Sequence, residues 1–220
     1  MDGLWLHMGT VFMGFFAIMN PIANVPIFLG LTSEEDEQTT KVIAFRALFL
    51  AFIIIMLFSL AGQYIFTLFG ISLSAFRITG GLLVFLIGFH MLQGNNSSVH
   101  HPDHQQLLES KENAIDKART REAALSIAVS PLALPILAGP GTIATAMSFS
   151  AAGGIEEMLI TIGAFGILCL VTYGFFISGG KLVSYLGSAA LGAITRMMGL
   201  ILAVIGTQMA VEGIKGAFAI

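Results

Sequence analysis

Apolar residues run along this 220-residue chain in long unbroken blocks, without the alternation of a half-buried strand or the narrow stripe of a surface helix. Scanned with a window of about 19 residues, the blocks fall at roughly 4–31, 43–68, 73–92, 123–150, 156–180 and 191–214. Each is long enough to cross a hydrocarbon core of about 30 Å as a helix. Lipid leaves no water to satisfy a backbone, and the blocks lack the short alternating segments of a barrel, so six transmembrane helices are predicted. Polar positions gather between the blocks, chiefly in 94–121 and in the acidic run "SEEDE", where Ser33 is the expected cap of a solvated helix.

Two blocks carry residues that do not suit a plain anchor. "FAIMNPIANVPIFLG", 16–30, places Pro21 and Pro26 in mid-span beside Asn20 and Asn24. Proline removes a backbone donor and clashes with the preceding turn, and asparagine is costly in hydrocarbon. For one isolated proline, a kink tolerated by packing would be the plain reading. Here the motif recurs. Set over "SPLALPILAG", 130–139, with one gap, "NPIANVPIFLG" brings Pro21 to Pro131, Ala23 to Ala133, Pro26 to Pro135 and Gly30 to Gly139. Further on, "FRITGGLLVFLIGFHMLQG", 76–94, matches "TRMMGLILAVIGTQMAVEG", 195–213, with Arg77 over Arg196, Gly80 over Gly199 and Gly94 over Gly213.

Two matches in the same order divide the chain into a three-helix repeat at 1–93, a polar cytoplasmic loop at 94–121 and a second three-helix repeat at 122–220. Three spans is an odd number, so the second copy enters from the opposite face. The predicted fold is an all-α membrane protein of two inverted three-helix repeats in a single membrane domain, with spans 1 and 4 broken at Pro/Gly motifs, an architecture common among secondary transporters. A half-helix starting near Pro26 and another near Thr142 would point their amide-rich ends inward, while half-helices ending near Met19 and Val129 offer carbonyls. The substrate-binding residues expected from this pattern are Asn20, Pro21, Ala23, Asn24, Pro26, Ser130, Pro131, Pro135, Gly139, Gly141 and Thr142. The asparagines and Thr142 supply donors and acceptors, and the glycines permit close backbone approach. A small zwitterion fits such an arrangement.

Composition agrees with the membrane reading: 56% hydrophobic and 10% charged, against roughly 25% charged in soluble domains. The start "MDGLWLHMG" has no basic region or cleavage pattern, so the first span is expected to stay, with Trp5 as an interfacial anchor. Eight of the ten Lys and Arg belong to one side; Arg77 and Lys215 belong to the other. The positive-inside rule then puts both termini outside. No Asp, Glu, Lys or His lies at the centre of any span, which favours a neutral solute over a charged one or a proton relay. Arg77 and Arg196 are read as fixing helix ends near headgroups, with gating or lipid contact as the other role open to them. The spans' many glycines are read as close-packing positions rather than hinges.

Other features carry less. Cys169 is the single cysteine and is read as a buried inert thiol, which excludes an internal disulfide. The cluster "HHPDH", His100–His104, has metal-like residue types without a metal-site spacing, and the "NNSS" triplets lie in a segment placed inside. There is no HExxH, no GxSxG and no buried Asp pair, so an enzyme is not expected. No basic patch interleaved with aromatics suggests nucleic acid.

The quoted stretches "FAIMNPIANVPIF", "FGISLSAFRITGGLLVFLIG", "PLALPILAGPGTI" and "ITRMMGLILAVIGTQMAVEGIKG" resemble the MarC family of integral membrane proteins, UPF0056, over nearly the whole chain outside the polar loop. The resemblance implies six spans in the cytoplasmic (inner) membrane. For members of the SnatA type, it also implies transport of small neutral amino acids such as glycine and alanine. The family's proline motifs fall on Asn20–Pro26 and Pro131–Thr142. Many relatives carry Gly where this chain has Ala23, so the added methyl implies a narrower site.

The function expected is alternating-access transport of a small neutral amino acid, with membrane lipids as the other partner and a homo-oligomer left open. No cofactor is expected; a coupling ion is left unidentified. The rival from another class is a non-transporting membrane scaffold or stress-response protein.

Overall fold

The computed structural model describes residues 2–33, 35–94, 132–133 and 136–218. Within them the chain is helical throughout: α1 (Asp2–Met19), α2 (Pro21–Leu31), α3 (Glu37–Phe69), α4 (Leu73–Leu92), α5 (Pro140–Ser150), α6 (Ile155–Ile177) and α7 (Gly179–Phe218). Five stretches are long and apolar enough to cross a membrane: His7–Leu31, which joins α1 to α2, then Glu37–Gly62, Leu73–Leu92, Ile155–Ile177 and Ala189–Phe218. Of the block at 123–150, the described helix is α5 alone, whose 11 residues rise only about 16 Å. The polar loop, His100–His104, Val129, Ser130, Pro131 and Pro135 lie outside the described residues.

Local chemistry sets the ends. Asp36, not Ser33, caps α3: its side chain accepts from Gln38 N at 3.2 Å, while Ser33 Oγ donates to Gly30 O at 3.0 Å and so closes α2. Ser33 lies too early because it belongs to the turn that closes α2, and an extended Asp36 stands directly before the helix. A hydrogen bond with the Thr39 side chain is the main reason the Asp36 carboxyl sits below its ordinary value. Gly70, at φ 64°, ends α3 in the left-handed conformation that glycine adopts freely, and Ser72 then caps α4. The last helix begins twelve residues before the apolar block at 191–214, running through a non-helical Gly187 at φ 70°.

Packing is closest between α4 and α7. A Cβ on Gly81 would lie 2.6 Å from Gly206 O, and one on Gly199 would lie 2.8 Å from Gly88 O. Gly213 would likewise meet Ser74 O at 2.7 Å. Numbers rise along one helix as they fall along the other, so the two run antiparallel with backbones nearly touching, the contact that small residues allow where lipid supplies no hydrophobic drive.

Along α6 the order is parallel. His7 meets Glu157 at 2.6 Å, Phe15 packs edge-on to Phe165 at 5.1 Å, Met19 Sδ lies 3.5 Å from the Thr172 hydroxyl oxygen, and Phe28 stacks on Phe176 at 4.4 Å. This seam carries α1 and α2 through the core, where Phe15, Ile18, Met19, Val25 and Phe28 are buried. Outward faces remain apolar, as at Leu57, Leu68, Leu82, Leu170 and Val204, which suits lipid contact.

Candidate functional site

Asn20 stands between α1 and α2 at φ 44°, ψ 66°, the one described non-glycine residue with positive φ. Proline disfavours the right-handed helical region for the residue before it, and asparagine is among the few side chains that tolerate the left-handed one. The sequence Asn20–Pro21 therefore breaks the helix at a defined residue. Pro21 then opens α2, where its missing N–H costs nothing. The second half-helix begins here rather than near Pro26, because the Asn20 cap is available at the first proline. Pro26 sits inside α2 with an exposed ring, away from the buried face.

The hydrogen bonds around the break are rearranged through side chains. Asn20 N donates to Phe16 O at 2.9 Å and Asn20 O accepts from Asn24 N at 3.2 Å, so the residue belongs to both helices. Ala23 N, whose partner in an unbroken helix would be Met19 O, donates to Asn20 Oδ1 at 3.4 Å. Met19 O accepts from Asn24 Nδ2 at 2.7 Å. Each asparagine thus spends half of its amide closing the break. The other halves, Asn20 Nδ2 and Asn24 Oδ1, have no partner, although the residues are 1% and 0% exposed.

The second interruption has different chemistry. Ala138 N donates to Ala133 O at 3.0 Å, a wide π-type turn, and Gly139 is extended at φ −72°, ψ 172°. Pro140 opens α5 with no side-chain cap, two residues before the expected Thr142. Gly139, Gly141 and Thr142 are all buried. Thr79, Thr161, Thr172, Thr195 and Thr207 each return the hydroxyl to the carbonyl four residues back. Thr142 and Thr145, at 0% and 1% exposure, leave theirs unpartnered. Ser59 Oγ, Ser150 Oγ and Arg77 Nε are also buried without a partner.

Asn20, Ala23 and Asn24 are brought together by direct bonds. Thr142 stands on a separate helix whose described contact with α1 is made lower down, where the Phe149 ring lies 3.3 Å from the place of a Cβ on Gly14. Beside Pro140, a cavity of about 340 Å³ opens between α4 and α5, lined by Thr79, Gly80, Leu83, Ile143 and Ala144 among others. Thr145 was missed from the sequence; it lies three residues, less than one turn, beyond Thr142 on the same helix.

Among the described residues, every fully buried polar side chain is Asn, Ser or Thr. These side chains can donate and accept hydrogen bonds and are themselves uncharged, which suits a small polar solute whose charges cancel.

Comparison with known proteins identifies the framework. The chain is 41% identical over 212 residues to the UPF0056 membrane protein YvbG of Bacillus subtilis, covering 94% of each. It is 38% identical over 210 residues to a UPF0056 membrane protein of Pyrococcus horikoshii, covering 96% of this chain and 95% of that one. With YhcE of Escherichia coli it shares 34% over 213 residues, covering 94% and 91%. No solved structure matches. The family described as MarC family integral membrane protein matches residues 5–218, so the chain is an integral membrane protein that belongs to the MarC family.

Proposed function

We propose that the chain is a secondary transporter of small neutral amino acids, of the SnatA type, working by alternating access of two inverted repeats, 1–93 and 122–220, about the interruptions at Asn20 and Gly139. The observation that carries this reading is the set of unpartnered polar atoms beside the two interruptions: Asn20 Nδ2, Asn24 Oδ1, Thr142 Oγ1 and Thr145 Oγ1. A buried hydroxyl or amide without a partner costs about 1–3 kcal/mol, and a solute able to enter offsets that cost. The α2 and α5 N-termini add partial positive charge for a carboxylate, and the carbonyl end of α1 adds partial negative charge for an ammonium group.

The antiparallel contact of α4 with α7 supports the inverted repeat, because 76–94 and 195–213 are the matched stretches and an inverted pair of equivalent helices must run in opposite directions. Sidedness is consistent as well. A Cβ on Gly94, at the end of α4, would lie 3.2 Å from Arg196 Nη2, so both belong to the side rich in Lys and Arg. The His7–Glu157 bond groups the N-terminal helix with the first turn of α6. In this reading both termini face outward from the cytoplasmic (inner) membrane, 94–121 faces the cytoplasm, no enzymatic step is involved, and any coupling ion is held by neutral oxygens.

Uptake and counterflow of a panel of labelled amino acids in proteoliposomes test the proposal. Saturable glycine or alanine counterflow supports it. A folded, reconstituted protein that moves no amino acid would make a non-transporting scaffold the better account.

A further inference from the structure

The two asparagines leave complementary halves of their amides free, and elementary chemistry fixes which half is which. A backbone N–H can only donate, so Asn20 must turn Oδ1 toward Ala23 N, leaving Nδ2 as a spare donor. A carbonyl can only accept, so Asn24 must turn Nδ2 toward Met19 O, leaving Oδ1 as a spare acceptor. Neither assignment can be reversed without losing a bond that closes the break.

Backbone polarity at the break has the same sense. The Asn20 amide lies on the first turn of α2, where N–H groups concentrate positive potential. The Asn24 amide is bonded to a carbonyl at the end of α1, where potential is negative. The two side chains reach across the same break in opposite directions, Asn20 forward to Ala23 N and Asn24 back to Met19 O, so the spare donor and the spare acceptor flank one interruption.

We infer that Asn20 and Asn24 form a polarised subsite for one zwitterion, with Asn20 Nδ2 donating to the α-carboxylate and Asn24 Oδ1 accepting from the α-ammonium group. This deepens the proposed function and rests on it. The alternative occupant of a spare donor and acceptor is a structural water, which has no preference for either end of an amino acid.

The test pairs ligand edits with residue edits on the purified full-length protein, read by calorimetry. Glycinamide keeps the ammonium group and lacks the carboxylate; glycolate keeps the carboxylate and lacks the ammonium group. Wild-type protein should bind both analogues at least tenfold more weakly than glycine. Asn20→Ala should erase the preference for glycine over glycinamide while keeping that over glycolate, and Asn24→Ala should do the reverse. Asn20→Asp is the variant that keeps the break closed, because an Asp oxygen still accepts from Ala23 N; it should lose glycine binding while glycinamide binding stays within about twofold of wild type. Equal loss of both preferences in both variants, or glycine binding that neither asparagine alters, overturns the subsite and leaves the transport reading standing elsewhere in the protein. Absence of amino-acid binding and of counterflow in wild-type protein overturns both.

Discussion

The side chain of Asn24 donates to the backbone carbonyl of Met19 at 2.7 Å, five residues back and across the left-handed Asn20. A side chain here occupies the place of a main-chain donor. The helix is interrupted in mid-protein, yet Met19 O, Asn20 O and Ala23 N all remain bonded.

Asn20 should therefore tolerate glycine better than any β-branched residue. Glycine adopts positive φ without strain and loses only the cap, which is worth a few tenths of a kcal/mol in that exchange. Valine adds the left-handed penalty of roughly 1–2 kcal/mol to a lost cap of about 1 kcal/mol. Thermal unfolding in detergent should rank wild type at or just above Asn20→Gly, and both well above Asn20→Val. Equal melting temperatures for the two variants would mean that the φ of Asn20 carries no strain.

Much of this fold could be read from the chain, because hydropathy blocks report helices directly. The window that predicted a span at 73–92 coincides with α4, residue for residue. The break near Asn20 was legible because Asn–Pro in hydrocarbon has few other uses. Its position was not: two prolines compete, and only the capping geometry shows that Pro21 opens α2 while Pro26 rides inside it. Similarly, Ser33 and Asp36 are both good caps in sequence, and the choice depends on how many turn residues follow α2. Which half of each asparagine amide is left free depends on partners three and five residues away, and no composition rule reports that.

The α4–α7 contact should be intolerant of a single methyl group. Gly81→Ala would press Cβ to 2.6 Å from backbone atoms of Gly206 and Ala210, which cannot swing aside. The helices must separate, at a cost on the order of 1–3 kcal/mol. Gly174 and Gly192 have nothing within 4 Å of the same position, so alanine there should leave stability unchanged or raise it by up to about 1 kcal/mol. Melting temperatures of the three variants decide the matter; a Gly81→Ala protein as stable as wild type would mean that the backbones do not touch.

Transport should not depend on any one carboxylate of Glu156, Glu157 or Glu212. Glu157 bonds His7, but side-chain exposures of 39% for His7 and 29% for Glu157 leave the pair in contact with solvent, where such pairs contribute roughly 0–1 kcal/mol. Glu212 only accepts from Gln208 on the surface of α7. Individual Glu→Gln variants should keep uptake rates within about twofold of wild type. Complete loss in a folded, inserted variant would reveal an acidic group in the coupling path.

Reporter fusions should find residue 220 outside and the 94–121 loop in the cytoplasm. Eight of ten Lys and Arg fall on the loop's side, and Gly94 with Arg196 places the ends of α4 and of the kinked α7 segment together there. A cytoplasmic signal from the C-terminus would remove both the orientation and the inverted count of spans.

The threonines offer the sharpest separation of structural from ligand-directed polarity. Thr161, Thr172 and Thr207 donate to carbonyls four residues back at 2.8, 2.7 and 2.9 Å. Replacing any of them with the isosteric valine removes a bond and should lower stability by about 1 kcal/mol. Thr142 and Thr145 have no such bond to lose. Valine there removes a buried hydroxyl whose desolvation is unrecovered in the empty protein, so Thr142→Val and Thr145→Val should melt higher than wild type. If those hydroxyls serve the solute, the same substitutions should weaken glycine binding by roughly tenfold, the equivalent of one lost hydrogen bond of about 1.4 kcal/mol. Stability and affinity then move in opposite directions at α5 and only stability moves at α6 and α7. A fall in stability at Thr142 and Thr145 as well, with affinity unchanged, would show that these hydroxyls serve the fold and would take α5 out of the binding site.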